Sequence, residues 1–259
     1  MKRIKKSTIP IELKKYIDLD CDLTKDWEDD FKNDCQDGYK IVIEQIKKDQ
    51  GNICCYCELS FSDNVTIRPD FRVEHFHPKS DDPNEGKNWN LEWTNLLGCC
   101  HGGSEHRTIS GEDRFIQNVR HRHSDILKNN FIWDEEILNP LEIPAYPPIF
   151  EVSNEGVMSV AASITGDIKR KAENSLKEDR LNLNSPKLVK WREQVINILR
   201  LQLDALYQVN NDMAESVSIL VDVQLSKDET GNYFSFFSTI RSFFGVDAEA
   251  YLQRTNYDG

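Results

Sequence analysis

The sequence predicts an α+β protein: a small ββα unit in the middle, helices before it, and a mainly helical region after it. Three observations carry this. Helical periodicity holds up to Lys48 and is lost between residues 53 and 80, where Phe71 to Phe76 alternates in the period-2 manner of a short strand. Cysteines and histidines crowd the same region, at Cys54, Cys55, Cys57, His75, His77, Cys99 and Cys100. From Ile168 onward apolar residues recur at helical spacing.

The order of elements follows from local signals. Residues 1–52 form an N-terminal helical segment, with an extended basic start ending near Pro10, a short acidic helix at Asp26 to Phe31, and a helix from Tyr39 to Lys48 stopped by Gly51. Residues 53–145 form the central core: the strand at Phe71 to Phe76, a loop at Asp81 to Gly86, a polar insertion from Gly102 to Arg122, and one or two helical turns within Ser124 to Asn130. Residues 146–259 begin with a β-hairpin over Ile149 to Val160 and continue as helices. Ser185-Pro186 sets the N-cap and first position of a long helix whose stripe runs through Leu188, Trp191, Val195, Leu199 and Leu206. Phe234, Phe236, Phe237, Phe243 and Phe244 concentrate aromatic surface near the end.

Composition bounds the function. Hydrophobic residues make up 39% and charged residues 29%, the balance of a globular protein in water. No run approaches the roughly 18 consecutive apolar residues of a membrane span. The basic start lacks an apolar segment behind it, so a cytoplasmic location with no membrane contact is expected. The net charge of −12 opposes a protein that coats nucleic acid, although the stretch from Arg68 to Lys128 is close to balanced and leaves room for a local basic groove. Seven cysteines, clustered rather than spread, favour metal binding over a disulfide scaffold; Cys21 and Cys35 fall outside the cluster and read as packing residues.

Cys54-x-x-Cys57 has the spacing of a zinc knuckle, in which a tight turn aims two thiolates at one tetrahedral ion. The second half of the set is irregular, because Cys99 and Cys100 are adjacent and no cysteine follows. A fourth ligand then comes from a histidine, with His123, His121 and His106 available. Glu74-His75 supplies a different chemistry. A neutral imidazole takes a proton from water near neutral pH, and an adjacent carboxylate at a strand end can reach a hard divalent cation. His77 lies on the same face as His75 if the strand persists that far, and Asn95 can bridge backbone groups across a loop. Activated water, charge stabilisation and help for a leaving oxygen are what phosphodiester cleavage needs.

These residues resemble the HNH (ββα-metal) endonucleases, and more closely the HNH proteins encoded beside an ABC-type ATPase in Septu and retron-linked antiphage systems. The resemblance rests on Cys54-Cys55-Tyr56-Cys57-Glu58, Glu74-His75-Phe76-His77-Pro78-Lys79-Ser80 and Trp93-Thr94-Asn95-Leu96-Leu97-Gly98-Cys99-Cys100, with Ser124-Asp125, Lys128-Asn129 and Asn139-Pro140-Leu141 behind them. It implies a central HNH finger with structural Zn²⁺ on Cys54, Cys57 and Cys100, and His123 in place of the fourth cysteine, since Ser124 stands where that cysteine would be. It further implies His75 as general base, Asn95 as the loop-holding residue, His77 beside them, and Glu74 and Asp125 on a catalytic Mg²⁺ or Mn²⁺. The implied function is metal-dependent cleavage of DNA or RNA within an antiphage system. The implied partners are an ABC/SMC-like ATPase and, in retron systems, a reverse transcriptase with its msDNA. Two rival readings are a non-catalytic zinc module that binds nucleic acid or bridges proteins, and an RNA-cleaving toxin component.

Overall fold

Amphipathic helices and their stops build the N-terminal layer. A computed structural model describes residues 1–19, 24–61, 70–80, 86–103 and 119–257. Helix α1 (Ile11–Leu19) lies against α3 (Gln36–Gln50); between them come a π turn at Trp27–Phe31 and the single turn α2 (Lys32–Asp34). The Asp26 carboxylate accepts from the amides of Glu28 and Asp29 at 2.6 and 3.0 Å, satisfying donors that the first turn leaves open. Gly51 closes α3 at φ 61°, and a Cβ there would stand 2.1 Å from the Tyr233 ring, so only glycine serves. Leu13, Trp27, Phe31, Val42 and Ile46 bury their side chains against Leu91, Trp93 and Leu96.

That layer supports the central hairpin. Strand β1 (Arg72–His75) pairs antiparallel with β2 (Leu96–Cys99), placing Arg72 opposite Cys99 and His75 opposite Leu96. Gln50, the last residue of α3, extends the pairing. Its amide nitrogen donates to the Gly98 and Ile53 carbonyls at 2.9 and 2.8 Å, and its oxygen accepts from the Gly98 amide at 2.6 Å. Helix α4 (Asp125–Lys128) is one turn long, the shorter of the lengths expected from sequence. The strand ends at His75, so His77 sits beyond it in a bend rather than on its face.

The remaining chain forms the hairpin β3 (Phe150–Val152) and β4 (Met158–Val160), then α5 (Gly166–Leu176), α6 (Pro186–Asn210), α7 (Met213–Leu225), α8 (Phe237–Phe244) and α9 (Val246–Arg254). Among the described residues, mixed helices and two small sheets make this an α+β architecture. Three local expectations are corrected. The extended start is followed by helix α1, whose apolar face is short. Ser185 precedes α6 but its hydroxyl makes no capping bond, leaving Pro186 as the operative start signal. The terminal aromatics are mostly core: Phe236, Phe237 and Phe244 are buried, while Phe234 is 47% exposed. Among the described residues no helix is long and apolar enough to cross a membrane.

Candidate active site and metal centre

The Cys54–Cys57 turn, the end of β2 and the segment leading into α4 meet in one buried cluster. The thiol sulfurs of Cys54, Cys57 and Cys100 lie within 4.8 Å of one another. Cys57 Sγ and Cys100 Sγ are 3.5 Å apart, and His123 Nε2 stands 3.8 Å from Cys100 Sγ. His123 Nδ1 donates to the His121 carbonyl at 2.8 Å, which leaves Nε2 as the lone-pair nitrogen turned to the thiols. Zn–S and Zn–N bonds of about 2.3 and 2.0 Å give tetrahedral edges of about 3.8 Å between sulfurs and about 3.5 Å between sulfur and nitrogen. The donors present fit such an ion.

Gly102 makes this closure feasible. Its carbonyl accepts from the His123 amide at 3.1 Å, and a Cβ at its φ of 54° would lie 2.1 Å from the His123 oxygen. Ser124, fully buried, holds its hydroxyl 4.0 Å from Cys54 Sγ and donates its amide to the Leu181 carbonyl at 2.8 Å. His121 serves the cluster through its carbonyl, which accepts from His123 Nδ1, and His106 and Cys21 lie outside the described residues. A second thiol group, Cys54, Cys55 and Cys99, overlaps the first. Burial pushes the Cys55 and Cys99 thiols up, and Cys99 Sγ donates to Asp125 Oδ1 at 3.2 Å, which gives it a role as a neutral donor.

The two faces of β1 separate two kinds of chemistry. Arg72 and Glu74 share the face turned to α4, as the period of a strand requires. Arg72 pairs with Asp125. Glu74 Oε1 accepts from the Tyr56 hydroxyl at 3.0 Å and pairs with the Lys128 ammonium at 3.1 Å. Burial, and then the negative charge of Asp125, raise the Glu74 carboxyl to about 7. Two buried carboxylates that repel each other through hard oxygen donors suit a divalent cation of the Mg²⁺ or Mn²⁺ type. Arg72 and Lys128 supply the counter-charge, the Cys99 thiol stands 3.2 Å from Asp125 Oδ1, and among the described residues no group of three ligands takes in either carboxylate.

His75 faces the other way, edge-on to Trp27 with ring centroids 6.1 Å apart. Its Nε2 lies 3.1 Å from the Asn90 carbonyl oxygen, so Nε2 carries the proton and Nδ1 the lone pair. Burial lowers its pKa to about 4, which keeps the ring neutral near pH 7. Asn95 holds the loop two residues on. Its oxygen accepts from the His77 amide at 2.7 Å, and its nitrogen donates to the carbonyls of His77 and Trp89 at 2.9 and 2.8 Å. His77 stacks on Trp89 at 4.1 Å and donates from Nδ1 to Asp134 at 2.6 Å.

No family model matches the chain. Over 124 residues it is 35% identical to an Escherichia coli protein named "Retron Ec83 putative HNH endonuclease". The likeness supports an HNH endonuclease relationship. It covers 45% of this chain and 46% of that relative, so the chain spans about half the length of the curated relative it matches.

Sequence reasoning left Tyr56, Arg72, Trp89, Asn90 and Asp134 without a role. Arg72 was open to inference, since it shares a strand face with Glu74. Asn90 and Trp89 act through backbone carbonyls or ring faces, for which a sequence carries no signal.

Proposed function

We propose that the chain is a metal-dependent HNH-type endonuclease that hydrolyses phosphodiester bonds of nucleic acid. The observation that carries this is the fixed tautomer of His75: the Asn90 carbonyl holds its Nε2 proton, and Nδ1 stays unprotonated near neutral pH. In this reading Nδ1 removes the proton of the attacking water. Asn95 keeps the loop after His75 in one conformation through its bonds to His77 and Trp89. Glu74 and Asp125, on the other face of β1 from the His75 ring, would hold a divalent ion, and such an ion supplies the charge stabilisation that phosphodiester hydrolysis needs. Lys128 and Arg72 orient those carboxylates. A structural zinc on Cys54, Cys57, Cys100 and His123 would fix the finger beside them.

The resemblance in the sequence motifs implies a place in an antiphage system beside an ATPase partner, with a reverse transcriptase and its msDNA in a retron setting; the name of the relative supports the retron link alone. One observation favours the rival reading of a non-catalytic zinc-binding bridging module: both carboxylates are already ion-paired. Incubation with duplex DNA, single-stranded DNA and RNA in Mg²⁺ or Mn²⁺ separates the readings. The proposal expects cleavage that requires His75. Intact substrates in all three arms, with and without the partner proteins, would leave the bridging module, and cleavage of RNA alone would favour a toxin component.

A further inference from the structure

The chain carries a net charge of −12, yet one open cavity of about 620 Å³ is lined by six cations: Lys2, Arg3, Lys5, Lys6, Lys48 and Lys227. Of the candidate-site residues described above, none lines it. Among the described residues the lining includes a single carboxylate, Asp49, and neutral donors bond both of its oxygens. The amide and hydroxyl of Ser7 both bond Asp49 Oδ2 at 3.0 Å, and Gln45 bonds Oδ1 at 2.7 Å. Arg3, Lys5, Lys48 and Lys227 form no ion pair among the described residues.

Lys6 is the most telling member. Its Nζ is buried with no hydrogen-bond partner, and it lies 3.4 Å from the centre of the Trp93 ring. An ammonium removed from water without a hydrogen-bond partner is costly, and the nearby Asp49 carboxylate and the ring face return only part of that cost. An anion entering the cavity would return the rest. Two aromatic rings, Tyr233 and Tyr257, share the lining, and Lys2 and Lys227 sit over the Tyr233 ring at 4.4 and 5.1 Å. Clustered ammonium groups beside aromatic faces are the combination that binds phosphates together with a base. The volume suits one or two nucleotides.

We infer that this cavity is a binding site for nucleotide phosphates, separate from the candidate active site, with Lys5 and Lys48 on the phosphates, the buried Lys6 ammonium behind them, and Tyr257 against a base. The phosphates can belong to a free nucleoside triphosphate or to a single nucleic-acid strand. The inference does not depend on the chain being a nuclease.

The test measures binding by the full chain in Mg²⁺-free buffer, using a 5′-phosphorylated phosphorothioate oligothymidylate in one arm and ATP in another. The charge reversals Lys5→Glu and Lys48→Glu together should weaken binding of the recognised probe more than tenfold. For the strand, two lost phosphate contacts should reduce the slope of log affinity against log salt by about 1.4. Binding of the strand alone assigns the site to nucleic acid, and equal binding of ATP assigns it to free nucleotides. Wild-type protein that binds neither probe would overturn the inference. So would a doubly reversed variant, folded by circular dichroism, that binds as tightly as wild type.

Discussion

Lys128 donates its ammonium to the main-chain oxygen of His75 at 2.9 Å while pairing with the Glu74 carboxylate at 3.1 Å. One buried side chain from α4 thus grips the end of β1 at two consecutive residues, one on each side of the proposed chemistry.

Removing that grip should cost stability. Lys128→Met leaves Glu74 buried beside Asp125 without its counter-charge; near pH 7 the carboxyl takes up a proton and the loss is modest, and by pH 9, where the unfolded chain favours the carboxylate, it grows toward the about 3–5 kcal/mol of a broken buried pair. Chemical denaturation at pH 9 should show that loss. Adding Glu74→Gln should recover much of it, because two neutral groups replace an isolated charge. A double variant no more stable than Lys128→Met would refute the pairing.

The catalytic assignment rests on His75. His75→Ala should lower cleavage by about 10²–10⁴-fold with metal content and thermal stability near wild type. His77→Ala should cost less, since His77 holds the loop through its backbone bonds to Asn95, which alanine keeps. Single-turnover rates would reveal the reverse order, and in that event the base would be His77, oriented by Asp134.

Metal analysis of purified protein should find about one zinc per chain. Cys57→Ser and His123→Ala should each lower zinc content and melting temperature together, because lost ligation is lost folding free energy. Gly102→Ala should do the same without touching a ligand, since its Cβ would collide with the His123 oxygen. Full zinc occupancy in Gly102→Ala would contradict the tight closure described there.

Lys6 predicts a pH effect of definite sign. Burial lowers its pKa from 10.5 to about 7 in the folded chain. Between those values the unfolded chain holds the proton and the folded chain does not, so this group's contribution to stability rises with pH from about 7 to about 10 and is least favourable below 7. Lys6→Met should raise the melting temperature more at pH 6 than at pH 9.5 and weaken phosphate binding at pH 6. An equal rise at both pH values would refute the buried ammonium.

Much of this was legible in the sequence, for identifiable reasons. Cys54-x-x-Cys57 and Glu74-His75 are short-range patterns whose geometry follows from a turn and from a strand of period 2. Gly51 and Pro186 act through their own backbone, so the ends of α3 and α6 were readable. Helix α1 was not, because in nine residues only Leu13 is buried. The roles of Lys128, Asn90 and Asp134 depend on contacts between positions 53, 15 and 57 residues apart, and nothing local encodes them. The aromatics of α8 were misread as surface because their partners, such as Leu199 and Leu225, come from other helices.

Glu58, the residue after Cys57, stands at φ 64° with its carboxylate on the amide and hydroxyl of Ser238 at 2.9 and 2.6 Å, and its carbonyl accepts from the Phe236 amide at 2.9 Å. The turn that presents the thiols is therefore also the clasp for the start of α8. Stripping the ion would loosen that clasp from a distance, and the Ser238 amide would begin to exchange its hydrogen with solvent. A probe placed on the C-terminal helices would then read the loading of a centre it never contacts, and a protein starved of metal would offer proteases its last helices first.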